Sequence, residues 1–219
     1  MVRPGMAIIE RFLKICEDCC VHTLTFKSSI HKKNGASKIH CEPDQPGAVM
    51  KLEPEIFRPA LIAALAALGL ATLGAQLTEL GPWYRGLVQP SFKPPDIWFG
   101  PAWTLIFICA ATAGVTAWNS APDRTSRRWL IGLFALNAGL NSLWSLLFFK
   151  FQRPDWALIE VGFLWLSIVA LIVATRRYSR AAGFLLLPYL LWVTFASAIN
   201  YATVQLNGPF GQLAAGLPK

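Results

Sequence analysis

From Pro59 onward the chain alternates long apolar runs with short polar or proline-rich breaks. The first run, about 59–80, has the core ALIAALAALGLATLGAQL. A helix rises about 1.5 Å per residue, so about twenty apolar residues cross a hydrocarbon layer of about 30 Å. Four more runs follow at about 98–119, 129–149, 154–175 and 181–206. The pattern predicts an all-α membrane protein, a bundle of five transmembrane helices. Residues 50–219 then make one five-helix domain, and 1–49 an N-terminal extension.

The break between the first two runs is unlike the others. Residues 83–104 hold three Trp, four Pro and two Gly, with Arg85, Lys93 and Asp96 as their charges. Proline removes a backbone donor and fixes φ, so no continuous helix is expected before about Trp98. A stiff aromatic loop of this kind can serve as the lid of an apolar pocket, with Trp83, Tyr84, Arg85 and Lys93 as lid residues. The competing reading makes Trp83, Tyr84 and Trp98 interfacial belt residues.

Inside the spans, a few positions depart from what lipid requires. Ala60, Ala64, Ala67, Ala71 and Ala75 recur every three to four residues, a stripe that lets another helix approach. Asn137, Asn141, Trp144, Ser145 and Phe148 share one face of the third span. An amide at membrane depth is costly without a partner, so it serves a helix–helix bond or a ligand. Pro101 and Pro154 suit helix starts. Glu160 lies about one turn inside the fourth span. It sits at headgroup level, favoured by the helix N-terminal dipole, or faces the interior, and the first reading is preferred. Trp165, near mid-span, fits no belt. Pro188 should kink the fifth span or be accommodated by its neighbours. There Trp192, Phe195, Ala196, Ile199, Asn200 and Thr203 fall on one inward face.

Composition agrees with the pattern. The chain is 54% hydrophobic and 15% charged, against about 25% charged in soluble domains. The net charge of +8 comes from short clusters beside apolar runs rather than a basic stripe, which excludes a nucleic-acid partner. Lys51, Arg58, Arg124, Arg127, Arg128, Arg176, Arg177 and Arg180 fall on one side. Arg85, Lys93, Lys150, Arg153 and Lys219 fall on the other. The bias puts the second and fourth loops inside and the aromatic loop outside.

Residues 1–49 hold all three His and four of the five Cys. Cys16-x-x-Cys19 with His22, His40 and Cys41 has zinc-binding residue types, but at a spacing that fits no common finger. A disordered tail, or sequence upstream of a start at Met50, describes the segment better. Cys109, flanked by apolar residues, reads as an inert core thiol. The chain carries no Ser-His-Asp set, paired inward carboxylates, phosphate loop or dinucleotide fingerprint, so no catalytic residues and no metal site are assigned.

The spans do offer a pocket. Trp144, Phe148, Trp192 and Phe195, with Trp98 and Phe99 from the lid side, can clamp a flat ring system. Ala196 and Ile199 share the inward face of the fifth span. Asn137, Asn141 and Asn200 can supply orienting hydrogen bonds, and Arg85 or Lys93 can meet a carboxylate at the mouth. A flat apolar molecule with acidic substituents fits, and a porphyrin is one. No His or Met is placed as an axial haem ligand, which points to a metal-free tetrapyrrole or loosely held haem.

Three blocks carry a family resemblance. They are WY-x-x-L-x-x-P-S-F-x-P-P-x-x-W-x-x-P-x-W-T from Trp83, N-x-x-W-S-x-x-F-F from Asn141, and L-x-P-Y-L-x-W-x-x-F-A-x-x-I-N-Y in the fifth span. In this order they cover most of 82–207 and resemble the TspO/MBR family of tryptophan-rich sensory and translocator proteins. The resemblance implies a five-helix bundle, often dimeric, that binds tetrapyrroles such as protoporphyrin IX, and also sterols and benzodiazepine-type ligands. It implies that Trp98, Asn141, Trp144, Trp192, Ala196 and Ile199 line the pocket under loop one. The roles it suggests are porphyrin transport, stress-linked sensing, and light-dependent porphyrin breakdown with Trp98 or Trp192 as the radical partner. A different reading is a dimeric membrane scaffold joined through the alanine stripe or Ala135-x-x-x-Gly139. One departure concerns sterols. Tyr201 ends the last span, but no basic residue follows before Lys219, where the sterol pattern needs one soon after. The expected location leans to a bacterial membrane over the mitochondrial outer membrane.

Overall fold

The computed structural model describes residues 54–211. The readings of 1–49 as an extension and of its Cys and His residues lie outside the described residues. Within them, five helical segments are long and apolar enough to cross a membrane.

The first span is helix α1, Pro54–Leu77. It stops three residues short of the predicted end. The Thr78 hydroxyl and backbone N–H both bond the Gly74 carbonyl, at 2.8 and 3.0 Å, and Pro82 then disfavours helical geometry at Gly81. Of the alanine stripe, Ala60, Ala67 and Ala71 face the bundle, whereas Ala64 and Ala75 are exposed. The less exposed face runs Ala60, Ala63, Ala67, Leu70, Ala71 and Gly74, while Leu61, Leu65 and Leu68 are exposed.

Loop one contains the short helix α2, Pro82–Gly86, and a 3₁₀ turn, Asp96–Trp98, that leads into α3, Phe99–Ser120. The third span begins earlier than expected. Helix α4 covers Arg124–Ser145, because Asp123 caps it by accepting from the Ser126 backbone N–H at 2.8 Å and its hydroxyl at 3.0 Å. Those two donors hold the Asp123 carboxyl below its usual range. A π-helical turn, Leu146–Lys150, completes this span, and Phe151 N–H bonds the Leu146 carbonyl at 3.0 Å. The wider turn brings the consecutive residues Phe148 and Phe149 both inside, at 6% and 9% exposure. A regular α-helix would turn one of them about 100° away.

The fourth span is α5, Pro154–Arg176. The fifth is divided at Leu186 into α6, Arg180–Leu185, and α7, Leu187–Asn207. Pro188 has no N–H to offer the preceding turn, so the chain breaks there instead of bending smoothly. In α6, Gly183 lets the Arg176 side chain pack close to the backbone. A Cβ there would lie 1.9 Å from Cγ of Arg176.

The spans form a ring. The first touches the second, the second the fifth, the fifth the fourth, the fourth the third, and the third closes on the first. The fourth span also reaches the second, so α5 is enclosed on most sides. This overturns the placement of Glu160 at headgroup level. It is buried, 5% exposed, on the face that carries Ala157, Val161 and Leu164. Helix α5 enters the bundle already covered by α4 and α7, so one turn of depth suffices to remove the carboxyl from solvent. Trp165 finds its reason in the bundle as well, since its Nε1 donates to Thr194 Oγ1 of α7 at 2.9 Å.

The basic residues Arg58, Arg124, Arg127, Arg128, Arg176, Arg177 and Arg180 share the end of the bundle opposite loop one. Arg127 lies over the Trp118 ring at 5.3 Å and Arg176 over Phe184 at 5.8 Å, so these guanidinium groups rest on aromatic rings at the apolar border.

Candidate ligand site

Loop one is fastened across the open end of the bundle at two places and braced within itself at a third. Asn207, the last residue of α7, accepts from the Val88 N–H at 2.7 Å and donates to its carbonyl at 3.0 Å. Glu79 pairs with Lys150 at the end of the third span. Within the loop, the Tyr84 hydroxyl donates to Asp96 at 2.8 Å, and Lys93 pairs with the same carboxylate. Burial and then the Asp96 hydrogen bond push the Tyr84 hydroxyl well above its ordinary pKa, so it stays a donor.

Two aromatic clusters meet beneath this lid. In one, Trp83 stands edge-on to Phe148 at 6.2 Å, Phe148 stacks on Trp144 at 5.2 Å, and Tyr84 tilts against Phe149 at 5.7 Å. In the other, Trp192 touches Phe99 at 5.5 Å, Phe195 at 6.1 Å and Trp103 at 6.5 Å, and Phe195 meets Phe92 of the loop at 6.4 Å. Lys93 joins the two, lying 5.4 Å from the Tyr84 ring and 5.7 Å from Phe99. Trp144 packs against both clusters. The rings rest on each other.

Below the rings lies a polar layer. Asn137 donates to Ser167 Oγ at 2.8 Å, and Asn141 donates to the Tyr189 hydroxyl at 3.4 Å. All four side chains are buried. An apolar cavity of about 420 Å³ opens from this layer between α1, α3 and α4, bounded by Ala67, Phe107, Ala110, Phe134, Asn137 and Tyr189. A second recess, about 520 Å³ and open to solvent, lies in loop one beside Gln89, Lys93 and Asp96.

The predicted residues therefore fall into groups. Trp98 and Phe99 are half-buried against the core, with Trp192 2% exposed and Phe195 beside it. Trp144 and Phe148 lie in the lid-side cluster, with Trp83 and Tyr84. Ala196 is half-buried and Ile199 buried on the same helix. Asn137 borders the apolar cavity and Asn141 the polar layer. Asn200 is 1% exposed, and the orientation of its amide that satisfies both groups turns Nδ2 to the Pro154 carbonyl, 3.1 Å away, and Oδ1 to the Leu158 N–H, 3.2 Å away, across the first turn of α5. Its hydrogen bonds are thus directed at a neighbouring helix. Lys93 is engaged with Asp96, while Arg85 is exposed at the rim.

Sequence reasoning missed two residues near this site, Trp103 and Tyr189, and misjudged a third, Glu160. Trp103 bridges Tyr189 and Trp192 at 6.1 and 6.5 Å. It sits four after Phe99, a spacing that signals a shared face. Tyr189 and Glu160 were hidden for a different reason. Helical spacing alone does not fix which way a residue near a helix end faces when both sides are apolar.

Among the described residues no three His, Cys, Asp or Glu side chains gather to hold a metal ion. The arrangement offers ring stacking, a lysine at the mouth and a small buried polar layer.

The model of the TspO/MBR family matches residues 60–206. A "Tryptophan-rich protein TspO" of Archaeoglobus fulgidus is 38% identical over 148 residues, which is 68% of this chain and 95% of that protein. One of the same name from Chlorobaculum tepidum is 40% identical over 125 residues, 57% of this chain and 79% of its own. The human "Translocator protein" is 31% identical over 126 residues, 57% of this chain and 75% of its own.

Proposed function

Because the chain belongs to the TspO/MBR family, we propose that it binds a porphyrin-type tetrapyrrole between the two aromatic clusters under loop one, and carries or senses that molecule. It is a multi-pass integral membrane protein. The observation that carries the proposal is the convergence of Trp144 and Phe148 from the third span with Phe99, Trp192 and Phe195 from the second and fifth, and with Lys93 at their junction. Faces of this kind stack on a flat ring of any substitution, and the lysine suits a propionate at the mouth. Asn141, Ala196 and Ile199 would complete the wall. Haem would be held the same way, by stacking. A sterol is a weaker candidate, since the sterol pattern after Tyr201 is incomplete.

The test is a protoporphyrin IX titration of detergent-purified protein, followed by tryptophan fluorescence, beside Trp192→Ala. Saturable quenching at micromolar ligand that weakens about tenfold or more in the variant supports the proposal. Quenching that the variant leaves unchanged places the porphyrin in the micelle and overturns it.

A second reading is favoured by the chain of rings Phe99, Trp192 and Trp103. Here the bound porphyrin, under light and dioxygen, is opened to a bilin, with Trp98 or Trp192 as the radical partner. Bilin absorbance on illumination, lost in Trp192→Phe, would select it over binding alone. Pairing of two copies belongs to the same proposal. Ala135 and Gly139 lie exposed on the outer face of α4, where a second helix can approach closely.

A further inference from the structure

The apolar cavity of about 420 Å³ between α1, α3 and α4 takes no part in clamping a ring. Its lining runs on α1 from Pro59 to Leu70 and on α3 from Ile106 to Trp118. At about 1.5 Å per residue these stretches rise about 16 to 18 Å, roughly half of a hydrocarbon core of about 30 Å. The cavity is therefore as long as one leaflet is deep. Ile106, Asn137 and Tyr189 form a buried floor, while Ile62 and Ala66 of α1 and Ile131 and Ala135 of α4 are exposed at the rim. The cavity thus opens sideways between α1 and α4, where the surrounding medium is lipid.

Its two ends differ. The deep end stops at Phe107, Asn137 and Tyr189, whose polar groups are bonded to Ser167 and Asn141. The shallow end, at Pro59, Trp118 and Leu130, lies among arginines. Arg58 directly precedes Pro59, and Arg127 is half-buried with its guanidinium 5.3 Å from the centre of the Trp118 ring. Arg124 and Arg128 stand beside Arg127 on the same turn of α4. Among the described side chains, the carboxylate within electrostatic reach of Arg127 is Asp123, and its oxygens accept from Ser126. One carboxylate among four arginines leaves this mouth positive.

We propose that this cavity holds one acyl chain of an anionic phospholipid from the leaflet on the arginine side, with the lipid phosphate held by Arg127 and Arg58. The proposal is independent of the tetrapyrrole reading. Lipid tails are as apolar as the cavity wall, so the chain supplies fit and the headgroup supplies selection. A guanidinium meets a phosphate with paired N–H donors. Each basic residue at a membrane surface adds about fivefold to the affinity for anionic lipid. A second copy of this chain fits the crevice less well, because it would bring its own arginines against these.

The experiment reconstitutes the full chain in phosphatidylcholine vesicles doped with phosphatidylglycerol or phosphatidylcholine that carries bromine in the upper part of one chain. Bromine quenches tryptophan on contact, and the share due to Trp118 is the difference from Trp118→Phe. Brominated phosphatidylglycerol should quench Trp118 at about tenfold lower content, or less, than brominated phosphatidylcholine. Arg58→Gln and Arg127→Gln should each lower that preference about fivefold. Ala67→Phe, which puts a ring into the cavity, should reduce quenching by both lipids, and Ala110→Leu serves if that variant fails to fold. Equal quenching by the two lipids in wild type would identify ordinary surrounding lipid and overturn the proposal. A preference unchanged in both arginine variants overturns it, as does quenching that the cavity-filling variant leaves unaltered. If quenching by both lipids rises only when copies are diluted apart, a second copy covers the crevice and the proposal fails.

Discussion

The side chain of Asn207 and the backbone of Val88 form a closed pair of hydrogen bonds, 2.7 and 3.0 Å long, between positions 119 residues apart. It substitutes for a rung of secondary structure, giving a loop residue both of its backbone partners from one amide. The lid is thereby fastened to the end of the fifth span. Replacing Asn207 by Leu should leave the bundle intact and free the lid. Hydrogen exchange at Val88 should lose its protection, and ligand dissociation should quicken several-fold, from about 1–2 kcal/mol of lost bonding. Unchanged exchange at Val88 would show the loop to be held by its aromatic contacts alone.

The Asn137–Ser167 bond, 2.8 Å between buried side chains of the third and fourth spans, is a structural tie. In a double-mutant cycle with Asn137→Ala and Ser167→Ala, the coupling should be about 0.6 kcal/mol, the scale of interhelical bonds in membranes. Thermal denaturation in detergent measures it. A coupling near zero, with a clear loss of ligand affinity in Asn137→Ala alone, would move Asn137 from the scaffold to the ligand.

Asp123 caps α4 as a carboxylate held below its usual pKa by the Ser126 backbone and hydroxyl. The sign follows from linkage. A folded-state pKa lower than the unfolded one adds stability above about pH 4, and that stability disappears as pH falls through the folded-state value. Thermal midpoints of wild type and Asp123→Ala should therefore differ at pH 7, and the difference should shrink as pH falls below the ordinary carboxylate range. A constant difference across that range would mean the cap acts only through its shape.

From the arginines around the second and fourth loops, this end is expected to face the cytoplasm. In a background where the other cysteines are replaced, Arg177→Cys should react with an impermeant maleimide only after the membrane is opened. Gln89→Cys in the lid should react in intact cells. The reverse pattern would invert the topology and place the lid on the inner side.

The helices were legible in the sequence because a membrane demands about twenty apolar residues in a row, and few other structures do. The inward faces of Asn137–Phe148 and Trp192–Thr203 were legible because lipid does not call for amides there. The start of α4 was misread by several residues, since charge was weighed above the Asp123 cap. Glu160 was misread because its depth was judged along one helix. Burial depends on which neighbours cover that turn, and these are fixed only by the ring of five. Asn200 shows the same limit, because an amide facing inward can serve a helix backbone as well as a ligand, and spacing does not distinguish the two.

The π turn at Leu146–Lys150 gives the third span two angular settings along one rod. Below it, Asn137 and Asn141 aim at the fourth and fifth spans. Beyond it, Phe148 and Phe149 are turned so that both reach the lid. The length of this segment is thus a dial. Removing Leu147 would restore a regular helix and rotate everything beyond it by about 100°, swinging Lys150 away from Glu79 and one phenylalanine toward lipid. Insertions and deletions should be far less tolerated here than in the tip of loop two, and a deletion scan would read the orientation of the lid as a function of a single residue.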